Sequence, residues 1–247
     1  MQNIVRITPN RDIINISNQP SLGDFYIYEE QANQLKYDCT FYNFEIDIIN
    51  KILSDQTGIF DFDKNMIDIG SFIGFYTWGL PFKYNYCFEP NQKSGTMLCM
   101  NMYIRGRENF IYYNQLLSDT HEIIDYDGYH TGALSEDYCE YIGAKKQSRS
   151  TMILDDFIDE IENVGFIKID AEGMDGKILQ GGTNLIKKHN YPPILFELWL
   201  PGHPWMDHDF DKKFVERYSL IFNFAQNNGY DIIWNWGNYE THLMIHK

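Results

Sequence analysis

The chain has 247 residues, 44% of them apolar and 16% aromatic, which suits one generous globular domain and leaves too little for two full ones. A formal net charge of −15, from 35 acidic against 20 basic residues, opposes a nucleic-acid partner, because phosphate backbones are held by clustered Lys and Arg. There is no apolar run of roughly 18 residues, so no membrane span is expected, and residues 1–10 lack the charged start and apolar centre of a secretory signal, so the expected location is cytoplasmic.

Residues 1–36 mix polar and aromatic side chains without a clean period and read as an irregular cover with one strand at Phe25–Tyr28. Phe44, Ile46, Ile48, Ile49 and Ile52 then fall at largely helical spacing, predicting a helix that packs on the core. Together these make residues 1–60 a cover segment and residues 61–247 the main body of a single domain.

The core opens with a short apolar strand over Met66–Ile69, followed by the loop Asp68-Ile69-Gly70-Ser71-Phe72-Ile73-Gly74. Gly70 suits the tight turn leaving the strand and Gly74 a close approach to a ligand, although a Gly-x-x-x-Gly after a strand also serves as a helix-packing device. Pro81 cuts off the next helix near Leu80, and a second strand over Tyr84–Phe88 ends in Glu89. Glu89 follows Gly70 at close to the spacing of roughly 20 residues at which an acid holds ribose hydroxyls. The pocket therefore reads as adenosyl-binding. Bulky Phe72 inside the loop crowds a pyrophosphate, whereas an acid beside it suits the cationic S-adenosylmethionine.

Asn91 is placed to cap a helix over Gln92–Tyr103, and a third strand is expected at Phe110–Tyr113, leading to Leu117-Ser118-Asp119. Strand-like fragments between His121 and Ser150, broken by Gly128, Gly132 and Gly143, suggest a hairpin over the pocket, with Lys145 to Arg149 as a solvated basic loop. An amphipathic helix is expected from Leu154 through Glu162, then a buried strand over Val164–Ile169 ending in Asp170, and a helix from Lys177 to His189. The strand Ile194–Phe196 ends at Glu197; a helix near Phe214–Asn227 and a hairpin, Asp231–Trp236 with His242–His246, follow. Strands alternating with helices predict an α/β fold, a doubly wound, mostly parallel seven-stranded sheet with a C-terminal antiparallel hairpin.

Asp68, Glu89, Asp170 and Glu197 all fall at strand ends, where such sheets bind their ligands. Asp170 and Glu172 flank a turn, so one carboxylate is a candidate base for deprotonating a hydroxyl, or the two together hold a divalent cation such as Mg²⁺. The plain alternative is that Asp170 caps the next helix and Glu172 favours its positive end. His203 and His208, in the aromatic loop after Glu197, are candidate bases or metal ligands. Cys39, Cys87, Cys99 and Cys139 form no C-x-x-C pair, which signals neither a zinc site nor a disulfide framework.

The ordered set Asp68 to Thr77, Phe88-Glu89-Pro90-Asn91, Leu117-Ser118-Asp119, Leu154-Asp155-Asp156-Phe157, Ile167 to Gly173 and Ile194 to Glu197 resembles the FkbM family of S-adenosylmethionine-dependent methyltransferases. The resemblance implies a Rossmann-like class I methyltransferase fold and O-methylation of a sugar hydroxyl on a glycan or glycoconjugate. It implies a cofactor site built from Asp68, Gly70, Ser71, Gly74, Thr77, Glu89, Asn91, Ser118, Asp119 and Asp170. Catalysis would fall to Asp170, Glu172, Glu197 and His203. Ser71-Phe72 stands where the family commonly has Ala-Asn. The competing readings are an adenosyl-binding or interaction subunit without turnover, and an RNA methyltransferase, which the charge disfavours. The expected partner is a small-molecule or glycan acceptor, and a homodimer is left open.

Overall fold

The computed structural model describes residues 4–7, 25–28, 39–126, 147–201 and 210–247. Strands β1 (Ile4–Ile7) and β2 (Phe25–Tyr28) pair antiparallel. Helix α1 (Cys39–Leu53) is followed by β3 (Asn65–Ile69), α2 (Phe75–Gly79), β4 (Asn85–Phe88), α3 (Gln92–Ile104) and β5 (Phe110–Tyr113). Next come β6 (Leu116–Ser118), β7 (Ile123–Tyr126) and β8 (Gln147–Ile153), which form a small sheet ordered β6-β8-β7. The chain continues through a 3-10 turn (Leu154–Phe157), β9 (Val164–Ile169), α4 (Asp175–Gly181), α5 (Thr183–Lys188), β10 (Ile194–Glu197), α6 (Phe210–Asn227), β11 (Tyr230–Ile233) and β12 (Thr241–His246).

The main sheet has seven strands in the order β11-β12-β10-β9-β3-β4-β5. Only β12 runs against the others, pairing antiparallel with both β10 and β11. This is the mostly parallel α/β sheet with a terminal hairpin that the strand-helix alternation predicts. The chain winds outward from β3 to β5 and then restarts at β9 on the other side of β3, so the strand order reverses between β3 and β9. A crevice outside the carboxyl ends of these two strands is where such sheets bind ligands.

Alternation along each strand divides the core into two layers. Met66, Cys87, Phe166, Leu195 and Leu243 face a layer with α1, α2 and α3, whereas Ile67, Phe88, Ile167, Phe196 and Met244 face a layer with α4, α5 and α6. Two steps along from Met66 and Phe166, the period of 2 puts Asp68 and Lys168 on the α1 side, inside an otherwise apolar layer. Both are buried, and they stand opposite one another in the parallel register.

Three expected elements differ. The helix from Leu154 through Glu162 is only a 3-10 turn, because the Asp155 carboxylate receives the N–H groups of Asn184 and Leu185 at the start of α5, and Asp156 accepts from Ile153 N–H. The helix expected over Lys177–His189 is two helices broken at Gly182, where a Cβ would lie 2.8 Å from Leu154 Cδ2, so the chain bends there to pack on that turn. Strand β6 and strand β1 were not foreseen as strands. Of the hairpin expected over the pocket, β7 and β8 pair antiparallel as its arms; residues 127–146 lie outside the described residues.

No helix among the described residues is long and apolar enough to cross a membrane. Phe166 has no exposed surface, packs edge-on to Phe60 at 5.2 Å and stacks on Phe82 at 5.4 Å between ring centroids. Phe166→Ala is expected to cost about 3–5 kcal/mol, read as a lower urea midpoint with an unchanged slope.

Candidate functional site

The loop after β3 has three residues in the left-handed region: Gly70 at φ 68°, Phe72 at φ 48° and Gly74 at φ 94°. A Cβ at Gly70 would sit 1.7 Å from the Asp170 carbonyl oxygen, so this glycine lets the tips of β3 and β9 touch. Gly74 serves packing: a Cβ there would lie 3.1 Å from both Leu98 and Trp78 side chains. Helix α2 has only five residues, too short to bring a substantial dipole to a ligand at Gly74.

Glu89 organises the loop. Its Oε2 accepts the Phe72 N–H at 2.9 Å and its Oε1 the Asn91 N–H at 2.7 Å. These charge-assisted bonds offset the strained φ of Phe72. Burial pushes the Glu89 carboxyl up to about 7, against the pull of those two N–H donors. The Asn91 side chain caps α3 by accepting from Lys93 and Ser94 N–H, as its position predicts. Ser71 turns inward, its N–H and hydroxyl both donating to the Phe88 carbonyl. Tyr112 hydroxyl and Asn114 Nδ2 donate to the Glu89 carbonyl, and Arg149 donates to Pro90 O and to Asn114. Arg149, expected in a solvated basic loop, is instead half-buried on β8 and braces the Glu89–Pro90 turn.

Beneath the loop, Asp68 has no exposed surface and accepts from the Thr77 hydroxyl at 2.6 Å. Lys168 Nζ donates to Gly70 O at 2.8 Å and lies 3.4 Å from Asp170 Oδ2 and 3.7 Å from Asp68 Oδ1. Burial lowers the affinity of this ammonium for its proton, but the carboxylates of Asp170, Asp68 and Glu45 outweigh that and hold its pKa above the usual lysine value.

At the tips of β9 and β10 the chain gathers further acids. The Asp175 carboxylate, buried at the start of α4, accepts Glu197 N–H at 3.1 Å and Ala171 N–H at 3.4 Å, tying the two tips together; burial, then the Asp170 charge, push it up to about 6. Glu172 sits in the turn at φ 53°. Burial, then Asp170, Glu172, Glu240 and Asp175, raise Glu197 well above the carboxylate range, while Trp199 Nε1 donates to its Oε1 at 2.8 Å. Asp170 keeps 31% of its side chain exposed beside this group.

The structure thus brings together Asp68, Gly70, Ser71, Gly74, Thr77, Glu89, Asn91, Asp170, Glu172 and Glu197. Ser118 hydroxyl bonds Asp119 Oδ1 at 3.0 Å, and the Ser118–Asp119 backbone packs on Gly181 of α4. His203 and His208 lie outside the described residues. Among the described residues no group of three or more His, Cys, Asp or Glu is disposed to hold a metal ion, so Asp170 and Glu172 find no third ligand there. His242 is buried, its Nδ1 accepting the Asn235 N–H and its Nε2 bonded to Leu198 O. His121 Nε2 lies 2.7 Å from Asp156 Oδ2.

Sequence reasoning passed over Lys168, Glu45 and Asp175. Lys168 carried a legible signal, as the one cation in the wholly buried strand Val164–Ile169. The others did not, since only tertiary packing puts Glu45 and Asp175 near the strand tips.

The sequence model of the methyltransferase FkbM domain matches residues 68–231, from Asp68 near the end of β3 into β11. The chain belongs to this family. No curated protein matches it. Among solved structures it is similar to the methyltransferase FkbM of Methylobacillus flagellatus KT, at 17% identity and TM-score 0.49 over 77% of this chain. The chain spans 46% of that protein's length. It is also similar to precorrin-6y C5,15-methyltransferase from Geobacter metallireducens GS-15, at 12% identity and TM-score 0.43, covering 83% of this chain and 86% of that one. The tRNA (uracil-54, C5)-methyltransferase of Pyrococcus abyssi, in complex with S-adenosyl-L-homocysteine, is 10% identical with TM-score 0.44, covering 98% and 42% of the two chains.

Two predictions follow from the geometry of this FkbM domain. Gly70→Ala is expected to destabilise the fold by about 1–3 kcal/mol or more, because the added methyl meets backbone, and a thermal melt measures it. The second concerns pH. Glu45 and Glu89 titrate near 7 in the fold, and Glu197 is raised as well, against the ordinary carboxylate value in the unfolded chain. The folded state therefore binds more protons than the unfolded one between about pH 4.5 and 7, so stability falls as pH rises. His242 and His189, with lowered pKa, act oppositely, but only below about pH 6.5. Melting temperatures from pH 6.5 to 8 are expected to decrease, and Glu89→Gln should flatten that slope.

Proposed function

We propose that this chain is an S-adenosylmethionine-dependent O-methyltransferase acting on a sugar hydroxyl of a glycan or glycoconjugate. One observation carries the reading: at the switch point between β3 and β9, a loop held by Glu89 faces a group of carboxyls with raised proton affinity. Each Glu89 oxygen accepts one N–H and keeps a second lone pair, which fits the two hydroxyls of a ribose. The buried carboxyls gathered around the Lys168 ammonium fit a ligand with positive charge at its reactive end. When bound, that cofactor supplies an electrophilic methyl on a sulfonium.

In this reading Asp68 and Thr77, bonded to each other beneath the loop, hold it from below. Asp170, pinned through Oδ2 by Lys168, orients the acceptor hydroxyl through its partly exposed carboxylate. Glu197, fixed through Oε1 by the Trp199 indole, takes the hydroxyl proton at Oε2, for which its raised proton affinity suits it. Glu172 keeps that affinity high by its charge. Ser118 and Asp119 are assigned to the adenine, as the family resemblance implies, and His203 to the acceptor side. A divalent cation receives no role here, because the donor set around Asp170 and Glu172 is incomplete among the described residues.

Calorimetric titration with S-adenosylhomocysteine tests the reading. Micromolar binding is expected, weakened about tenfold or more in Glu89→Ala. Glu197→Gln is expected to bind S-adenosylhomocysteine as the wild type does while losing about 10²–10⁴-fold in methyl transfer to a panel of sugar acceptors. Binding without transfer to any acceptor would favour the subunit without turnover, and a folded chain that does not bind would end the adenosyl reading.

A further inference from the structure

Helix α1 buries Ile48, Ile49 and Ile52 along one stripe, and Glu45 stands three and four residues before the first two of these, on the same face. A carboxyl on an apolar stripe needs partners. The Tyr76 hydroxyl supplies one hydrogen bond. The other oxygen, Oε2, is shut off from solvent and makes no hydrogen bond among the described residues. Burial, and then the Asp170 charge, carry this carboxyl up to about 7 against the pull of Lys168 and Tyr76.

The surroundings point to what Oε2 lacks. Glu45 shares the field of one ammonium, Lys168, with Asp68 and Asp170, and that ammonium already donates to Gly70 O and lies 3.4 Å from Asp170. Asp68 Oδ1 is likewise buried without a hydrogen bond. Three carboxyls sharing one ammonium leave negative charge that a second cation carrying N–H donors would balance. A sulfonium has no such donors, whereas a primary ammonium has three.

Resting on the adenosyl reading above, we infer that Glu45 is a ligand-contacting residue whose Oε2 receives the primary ammonium at the amino-acid end of the adenosyl ligand. The N-terminal cover then completes the site rather than merely shielding the core.

The test compares S-adenosylhomocysteine, which carries this ammonium, with 5′-methylthioadenosine, which lacks the amino-acid end, by calorimetry on the full chain. Glu45→Gln is expected to weaken S-adenosylhomocysteine about tenfold while leaving methylthioadenosine within about twofold of wild type. A variant that binds both ligands as the wild type does overturns the inference and leaves the adenosyl pocket standing. If Glu45→Gln does not fold, wild-type titrations near pH 7 in two buffers of different ionisation enthalpy decide. Glu45, faced by Lys168 and Asp170 from β9 and its following turn, Asp68 from β3, Tyr76 from α2 and Glu240 before β12, should release a proton to the buffer when S-adenosylhomocysteine binds and none when methylthioadenosine does. Equal proton release with both ligands overturns the inference. Failure of both ligands to bind the wild type overturns the adenosyl reading and the inference with it.

Discussion

The ammonium of Lys168 sits under the tips of the two central strands, 2.8 Å from the Gly70 carbonyl and within 4 Å of Asp170 and Asp68. Taking these charges out of water costs several kcal/mol per ion, and the arrangement persists only because each ion meets an opposite charge or a carbonyl. Removing one partner leaves an uncompensated charge in an apolar layer. The position of the loop after β3, the placement of the Asp170 carboxylate and the burial of Asp68 therefore depend on one another. This coupling joins the part of the molecule assigned to the cofactor with the part assigned to the acceptor.

Close backbone contact supplies the rest of the geometry. Gly70 allows the β3 tip to rest on the Asp170 carbonyl, and Asp175 draws the tips of β9 and β10 together through their N–H groups. Asp170 and Glu172 are then near enough to Glu197, from a separate strand tip, for their charges to raise its proton affinity. A group of acids that repel one another in this way is stable only in a frame that other interactions hold rigid, which fits a site prepared before its ligand arrives.

Much of this was legible in the sequence, for reasons that differ from element to element. The strands β3, β4, β9 and β10 announce themselves as short apolar runs ending in an acid or an acid-led turn, because buried parallel strands need both faces apolar. Asn91 was legible as a cap because its short side chain reaches the first free N–H groups of a helix. The break at Gly182 was not, since periodicity runs through Ile178, Leu179, Leu185 and Ile186 on both sides and only the proximity of Leu154 requires the bend. Gly74 was read toward a ligand although its space is taken by Leu98 and Trp78, a contact with a helix that starts well down the chain.

By itself the sequence determined the alternation of strands and helices, the parallel sheet, the loop with Glu89 as its partner, and membership of the FkbM family, because these rest on local periodicity and on motifs whose order along the chain is visible. Only the tertiary structure decided that Lys168 is a buried counter-ion, that Asp175 ties two strand tips and that Glu45 from α1 turns an unpartnered oxygen toward the same group of charges. Those facts depend on which side chains the sheet register and the helix packing place face to face, and that proximity has no periodicity in the chain from which to read it.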